Sequence, residues 1–280
     1  MIMRYISVVL AITLLGGCAS VSLESRHDNA VSIAAAASMT ERVISAGQFN
    51  LTAWERAPKQ NAPVDLYIEG DGLAWLDAHT KSMNPTPPDP MTLRLAALDK
   101  ADNVIYMARP CQYSGWNGDG ACPDKYWTDG RTAAEVIQSY QQALDNIKAL
   151  YKISGFNLIG YSGGAGVAAL VAAGRTDVLS LRTVAGNTDY ATFTRIHNIS
   201  PMDASIDPIT IAKKLSSLPQ HHFIGAEDTV VMPDVFNSWK QSSGETACIK
   251  STTVADVTHG KGWVEKWPEL LKAPPSCGSL

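Results

Sequence analysis

The chain has 280 residues, of which 45% are hydrophobic and 18% charged, with a formal net charge of -4 and a pI near 5.9. That length and balance suit one large domain with its own core. A weakly acidic chain with no basic stripe gives no electrostatic case for a nucleic-acid partner, and none for attraction to anionic lipid.

The N-terminus reads as a targeting segment. Arg4 precedes an apolar run, Ile6–Leu15, too short for a permanent membrane span, and Gly16 and Gly17 then lead into Cys18. This is the order of a secretory signal peptide, with Leu15-Gly16-Gly17-Cys18 resembling a bacterial lipobox. The expected organisation is a signal peptide over 1–17, lipidation at Cys18, a short tether over 18–27 and one domain over 28–280. Ala19 and Ser20 follow the cysteine, with no Asp to favour inner-membrane retention. The expected location is the cell envelope, lipid-anchored at the outer membrane and facing the periplasm.

Four cysteines remain, Cys111, Cys122, Cys248 and Cys277. An even count in an exported chain reads as disulfides, and four cysteines allow three pairings. Cys111–Cys122, closing a short polar loop, and Cys248–Cys277, pinning the C-terminal tail, are favoured. No spacing of Cys or His suggests a metal site.

In chain order, Asp28–Ala46 reads as a helix with an Ala-rich stretch, and Phe49–Glu55 as a strand. Pro63–Ile68 is a short apolar strand that stops at the turn Glu69-Gly70-Asp71-Gly72. A Pro-rich loop, Asn84–Pro90, precedes a helix over Met91–Ala101 and a buried strand over Asn103–Ala108. Arg109–Trp127 is a loop rich in Cys, Gly and Trp. Thr132 and Glu135 then read as a capping box for a long amphipathic helix reaching Tyr151. Phe156–Gly160 and Val178–Ala185 are strands around a small-residue helix, Gly164–Ala173. Asn187–Leu215 is irregular and partly helical. His222–Gly225 and Ile249–Val257 are strands, separated by a helix over Met232–Gln241, and Gly262–Leu271 closes the chain as a helix. Strands alternating with helices over this length predict an α/β fold with a mostly parallel sheet covered on both faces.

Gly160-Tyr161-Ser162-Gly163-Gly164 is a G-x-S-x-G pentapeptide with a strand running into it and a helix leaving it. Such a strand-turn-helix holds a nucleophilic serine on a strained turn, and the glycines permit backbone approaches that a Cβ would block. The partners follow in the order Ser, acid, His. His259, after the last strand, is the candidate base. His221 and His222 enter a strand, and His197 lies in the irregular insert. Asp228, at the end of the penultimate strand, is the candidate acid that orients the imidazole. Asp189, one strand earlier, is its rival, with helix capping as its other reading. The oxyanion hole needs two backbone N–H groups, and Gly163 and Asp71 are the candidates.

These residues resemble the α/β-hydrolase superfamily over most of the mature chain, through Gly160–Gly164 with Ser162, Gly225–Asp228, and Thr258-His259-Gly260. Within it, Ile68–Gly72 (IEGDG) and Arg109–Tyr113 (RPCQY) resemble segments of bacterial envelope lipoprotein serine hydrolases. Where many esterases carry His-Gly in the oxyanion loop, this chain has Glu69-Gly70, and Glu69 is expected to be a buried carboxylate held by Arg109. The resemblance implies a serine esterase that needs no cofactor and works through an acyl-enzyme on a small-molecule or acyl substrate. Acyl transfer or peptide cleavage on the same triad, or a non-catalytic envelope protein on a hydrolase fold, are the competing readings. Substrate choice is assigned to Arg109–Trp127 and Asn187–Leu215, where Trp116, Tyr126 and Trp127 either offer aromatic surface to a substrate or pack the disulfide loop.

Overall fold

The computed structural model describes residues 22–56, 59–77, 79–113 and 122–278. The signal peptide over 1–17, the lipidation site Cys18 and Trp116 lie outside these described residues.

The first described element is α1 (Leu23–Ala36), whose first turn is capped by the Ser22 side chain accepting from the Ser25 N–H at 3.1 Å. Arg26 and His27 are buried, so residues 23–27, expected at the end of a tether, belong to the folded body. The helix also ends ten residues before its expected limit. Ser38 takes φ 57°, and Thr40–Ala46 forms β1, a hairpin partner of β2 (Phe49–Arg56) across Gly47 at φ 60°. The Ala-rich run favours helix, but Thr40, Val43 and Ile44 are β-branched, and pairing with β2 decides the segment.

The remaining elements follow the expected alternation: β3 (Val64–Ile68), α2 (Met91–Leu98), β4 (Val104–Met107), α3 (Ala134–Tyr151), β5 (Phe156–Tyr161), α4 (Gly163–Ala173), β6 (Val178–Val184), α5 (Tyr190–His197), β7 (Gln220–Gly225), α6 (Pro233–Ser243), β8 (Ile249–Val254) and α7 (Trp263–Leu270). The eight strands lie in the order β1-β2-β4-β3-β5-β6-β7-β8. β2 is antiparallel to both of its neighbours, and every pairing from β4 to β8 is parallel.

Strand residues alternate between two cores. Leu66, Ile68, Ile105, Met107, Phe156, Leu158 and Leu181 pack with α3, α4 and Trp239 of α6. Tyr67, Val104, Tyr106, Ile159, Val184 and Phe223 pack with α1, α2 and the α7 tryptophans, Trp263 and Trp267. This period of two, with both faces filled, is what a sheet covered by helices requires. Tyr126 and Trp127 are buried in the first core, and the Trp127 indole donates to the Ser82 carbonyl at 3.2 Å. They are packing residues and not substrate surface. A short 3-10 turn over Asp124–Trp127 forms in a segment expected to carry no helix.

The capping box at α3 does not form. Ala133 occupies the N-cap, the Thr132 hydroxyl donates to the Ile206 carbonyl at 2.9 Å, and Glu135 accepts from Lys125 and the Tyr126 hydroxyl. Thr132 therefore ties the insert after β6 to the body. Both favoured disulfides, Cys111–Cys122 and Cys248–Cys277, are present.

Candidate active site

The chain passes from β3 to β4 on one side, then crosses through α3 to place β5 on the other side of β3. Loops leaving β3 and β5 therefore diverge at their carboxyl ends, which is where open α/β sheets form a ligand crevice. Ser162 stands at the end of β5, between strand and helix, with φ 51° and ψ -122°. A non-glycine residue in this region is strained, and the strain is held by its surroundings. The Ser162 N–H donates to the Val184 carbonyl at 3.0 Å, and the Ser162 carbonyl accepts from Asn187 at 2.9 Å.

The glycines around it are sterically required. A Cβ on Gly160 would lie 2.4 Å from the Gly164 carbonyl oxygen, and one on Gly164 would lie 2.4 Å from the carbonyl oxygens of Ile68 and Glu69. Glycine to alanine inside a helix ordinarily stabilises by about 0.5–1 kcal/mol. Here the obstruction is backbone on a central strand, so overpacking of about 1–3 kcal/mol decides the sign. Gly164→Ala is expected to lower the denaturant midpoint. Gly260→Ala, which meets nothing within 4 Å, should stay within about 0.5 kcal/mol of the parent. Equal midpoints for the two variants would contradict this account of the elbow.

His259, between β8 and α7, brings Nε2 to 3.0 Å from Ser162 Oγ. Its Nδ1 lies 2.8 Å from Asp228 Oδ2. The His259 carbonyl is gripped twice, by the Tyr161 hydroxyl and the Trp263 indole N–H, each at 3.0 Å. Asp228 follows β7 with its side chain fully buried, and its Oδ1 accepts from Val230 N–H at 2.8 Å and Val231 N–H at 2.9 Å. Those two donors leave Oδ2 directed at the imidazole. Glu227 is exposed. Asp189 does not join the cluster: it caps α5, accepting from Thr192 N–H at 2.8 Å. His221 and His222 stay in β7, with His222 buried between Thr183 and Gln220. His197 approaches the acid loop, its Nε2 lying 2.7 Å from the Val230 carbonyl.

Asp71, the third residue after β3, meets the elbow from the other side: a Cβ on Gly163 would fall 2.2 Å from Asp71 Oδ1. Among the described residues the backbone N–H groups of Gly163 and Asp71 donate to no protein acceptor. The carboxylate of Asp71 is held by two arginines. Arg109 Nη1 donates to Oδ1 at 3.2 Å, and Arg131 Nη1 donates to Oδ2. Arg109 also binds the Arg131 carbonyl, so the two cations are fixed to each other. This corrects the expectation that Arg109 holds Glu69. Glu69 is buried, but it accepts from the Gly70 N–H at 2.9 Å and the Thr92 hydroxyl at 2.8 Å, and burial pushes its carboxyl up. Both residues lie beyond the end of β3, where strand alternation no longer sets direction: Glu69 is held toward α2 by Thr92, and Asp71 lies against the elbow at Gly163. Arg131 had no signal in the sequence, being one charged residue in a polar turn.

Among the described residues no group of three His, Cys, Asp or Glu could hold a metal ion. The arrangement offers a hydroxyl, an imidazole aligned to take its proton, a carboxylate to fix that imidazole, and the Gly163 and Asp71 N–H groups, unpaired among the described residues.

No protein-family model matches the chain, and no curated protein matches it in sequence. Solved structures do. Est1E from Butyrivibrio proteoclasticus superposes with a TM-score of 0.59 at 14% identity, over 83% of this chain and 96% of that one. An esterase from Pyrococcus furiosus gives 0.58 at 14% identity, over 84% and 90%. An alpha-beta serine hydrolase homologue from Coxiella burnetii gives 0.54 at 15% identity, over 83% and 94%. The chain has the α/β-hydrolase fold.

Proposed function

We propose that this α/β-hydrolase-fold protein is a serine hydrolase that cleaves a carboxylic ester through an acyl-enzyme. The observation that carries the reading is the continuous line Asp228 Oδ2–His259 Nδ1 (2.8 Å), His259 Nε2–Ser162 Oγ (3.0 Å), ending on a serine held at positive φ. Nucleophile and base are within hydrogen-bond reach, and the base is oriented by a third group.

Ser162 Oγ bonds to the acyl carbon as its proton passes to His259 Nε2. Charge on the carbonyl oxygen is met by the Gly163 and Asp71 N–H groups. Collapse of the tetrahedral species breaks the bond to the alcohol oxygen, which takes the proton from His259. Water, deprotonated by His259, then attacks the acyl-enzyme and returns Ser162 with release of the acid. Asp228 keeps the imidazole proton on Nδ1 and stabilises the imidazolium. A fluorophosphonate probe tests the reading: mass spectrometry of the labelled protein should find the adduct on the peptide containing Ser162. Absence of labelling, or an adduct elsewhere, overturns it.

We also propose that the chain is a secreted lipoprotein, anchored through Cys18 at the outer membrane. The support is the apolar run ending in Gly16-Gly17-Cys18, with the helix α1 starting at Leu23, a few residues beyond. Cys18→Ala is expected to move the protein from the membrane fraction to the soluble one or to leave it unprocessed. A processed, membrane-bound variant would refute the anchor.

A further inference from the structure

The proposed triad does not use the charged wall that closes its other side. Arg109 and Arg131, from the two ends of the connection between β4 and α3, converge on Asp71 of the loop after β3, and Asp71 lies against Gly163. Two guanidinium groups share one carboxylate there, leaving one positive charge in excess. The Arg109 side chain is only 3% exposed and Arg131 10% exposed, so solvent screens this charge weakly. Among the described residues, nearby acids do not offset it by contact. Glu69 spends its oxygens on Gly70 and Thr92, and Asp207 accepts from the N–H groups of Tyr190, Ala191 and Ile209. Asp129 accepts from the Thr128 hydroxyl. Tyr190 completes the wall, its hydroxyl beside Gly166, and burial pushes it up to about 12, so it is neutral.

The two arginines differ in what they have left to give. Arg109 is enclosed, with its Nη groups on Asp71 and the Arg131 carbonyl. Arg131 directs Nε to the Thr128 carbonyl at 2.8 Å and Nη1 to Asp71, and its Nη2 donates to no acceptor among the described residues. Its position is fixed from both sides, because Thr132 is locked to Ile206 and the Arg131 carbonyl to Arg109. A fixed guanidinium edge whose Nη2 is unpaired among the described residues, held on the carboxylate that abuts Gly163 and in a poorly screened wall, is suited to a carboxylate. A single excess charge matches a monoanion better than a doubly charged phosphate.

We infer that Arg131, backed by Asp71 and Arg109, forms a subsite for a carboxylate carried by the substrate close to its scissile ester. This inference rests on the hydrolase reading above and narrows its substrate class to half-esters and other carboxylate-bearing esters. Without the arginines, the Asp71 carboxylate would repel both such a group and the oxyanion. With them, the same residue anchors the cation that binds the substrate.

Two matched substrate pairs test the inference. Mono-4-nitrophenyl glutarate against 4-nitrophenyl pentanoate places the carboxylate on the acyl side. 3-Carboxy-4-nitrophenyl butyrate against 4-nitrophenyl butyrate places it on the leaving group. In at least one pair the carboxylate ester is expected to be preferred tenfold or more in kcat/KM. Arg131→Gln should reduce that ratio about 10- to 100-fold, the scale of a hydrogen bond to a charged group, mainly through KM. Arg131→Lys, which keeps charge but not the planar fork, should fall between. The wild-type ratios need no variant, so misfolding of Arg131→Gln would not protect the idea. Ser162-dependent turnover with ratios near one in both pairs overturns the subsite alone, as does a ratio that neither variant moves. Absence of any Ser162-dependent turnover or labelling overturns the hydrolase reading and the subsite together.

Discussion

Substituting Ser162 by alanine is expected to lower ester turnover by about 10⁶-fold, the scale found when a triad nucleophile is removed. Among the described residues, Ser162 supplies the hydroxyl to which His259 Nε2 is directed, at 3.0 Å. What remains should be the rate that an intact oxyanion hole and bound substrate give water alone, about 10³–10⁴ over the uncatalysed reaction. Removing a hydroxyl from a residue that is not a core packing element should leave the melting temperature close to the parent. The Ser162→Ala/His259→Ala pair should be no worse than Ser162→Ala, because members of the triad act as one unit. Parent and variants would be compared on one nitrophenyl ester, with phosphonate labelling in parallel. Substantial turnover in a natively folded Ser162→Ala protein would remove the elbow from the mechanism.

The site was legible in the sequence where a residue's role is set by its place along the chain. Ser162, Asp228 and His259 each follow a strand, at the end of the sheet where the crevice opens, and the strand each acid follows, not chain order, set Asp228 apart from Asp189. The alternating strands and the small-residue helix after the elbow were legible for the same reason, since period and turn chemistry are local. Features that depend on contact between distant segments were not legible. Thr132 and Glu135 satisfy the capping-box pattern, but Thr132 binds Ile206 from the insert and Glu135 binds Lys125, so tertiary partners outcompete the local one. β1 was hidden under a helical Ala-rich run until β2 paired with it. Arg109 was expected on Glu69, whereas the structure gives it to Asp71, two residues further along. Arg131 could be found only by folding the chain, since nothing in residues 128–135 marks a partner sixty positions away.

Asp228→Asn is expected to cost about 10⁴-fold in turnover, as the corresponding change does in a serine protease. The carboxylate is fully buried and its two oxygens have different tasks. Oδ1 accepts from Val230 and Val231 N–H, and Oδ2 faces His259 Nδ1 at 2.8 Å. An asparagine cannot serve both. With its NH2 toward His259, the imidazole must accept at Nδ1 and carry its proton on Nε2, where it donates to Ser162 and cannot act as base. With its NH2 toward the loop, a donor opposes two backbone donors, and leaving such groups unsatisfied in a buried site costs about 1–3 kcal/mol. The first arrangement inactivates the enzyme at little cost in stability, and the second destabilises the loop that carries the acid. Asp189→Asn is the matched control. It changes charge by the same amount after the neighbouring strand, yet Asp189 serves as an N-cap for Thr192 N–H, a role asparagine fills about equally well. Its turnover should stay within a fewfold of the parent. The two proteins would be purified together, checked for native melting, and assayed on the same ester across pH. If Asp189→Asn proved the inactive protein and Asp228→Asn kept its rate, His259 would be oriented by a group other than the carboxylate it faces.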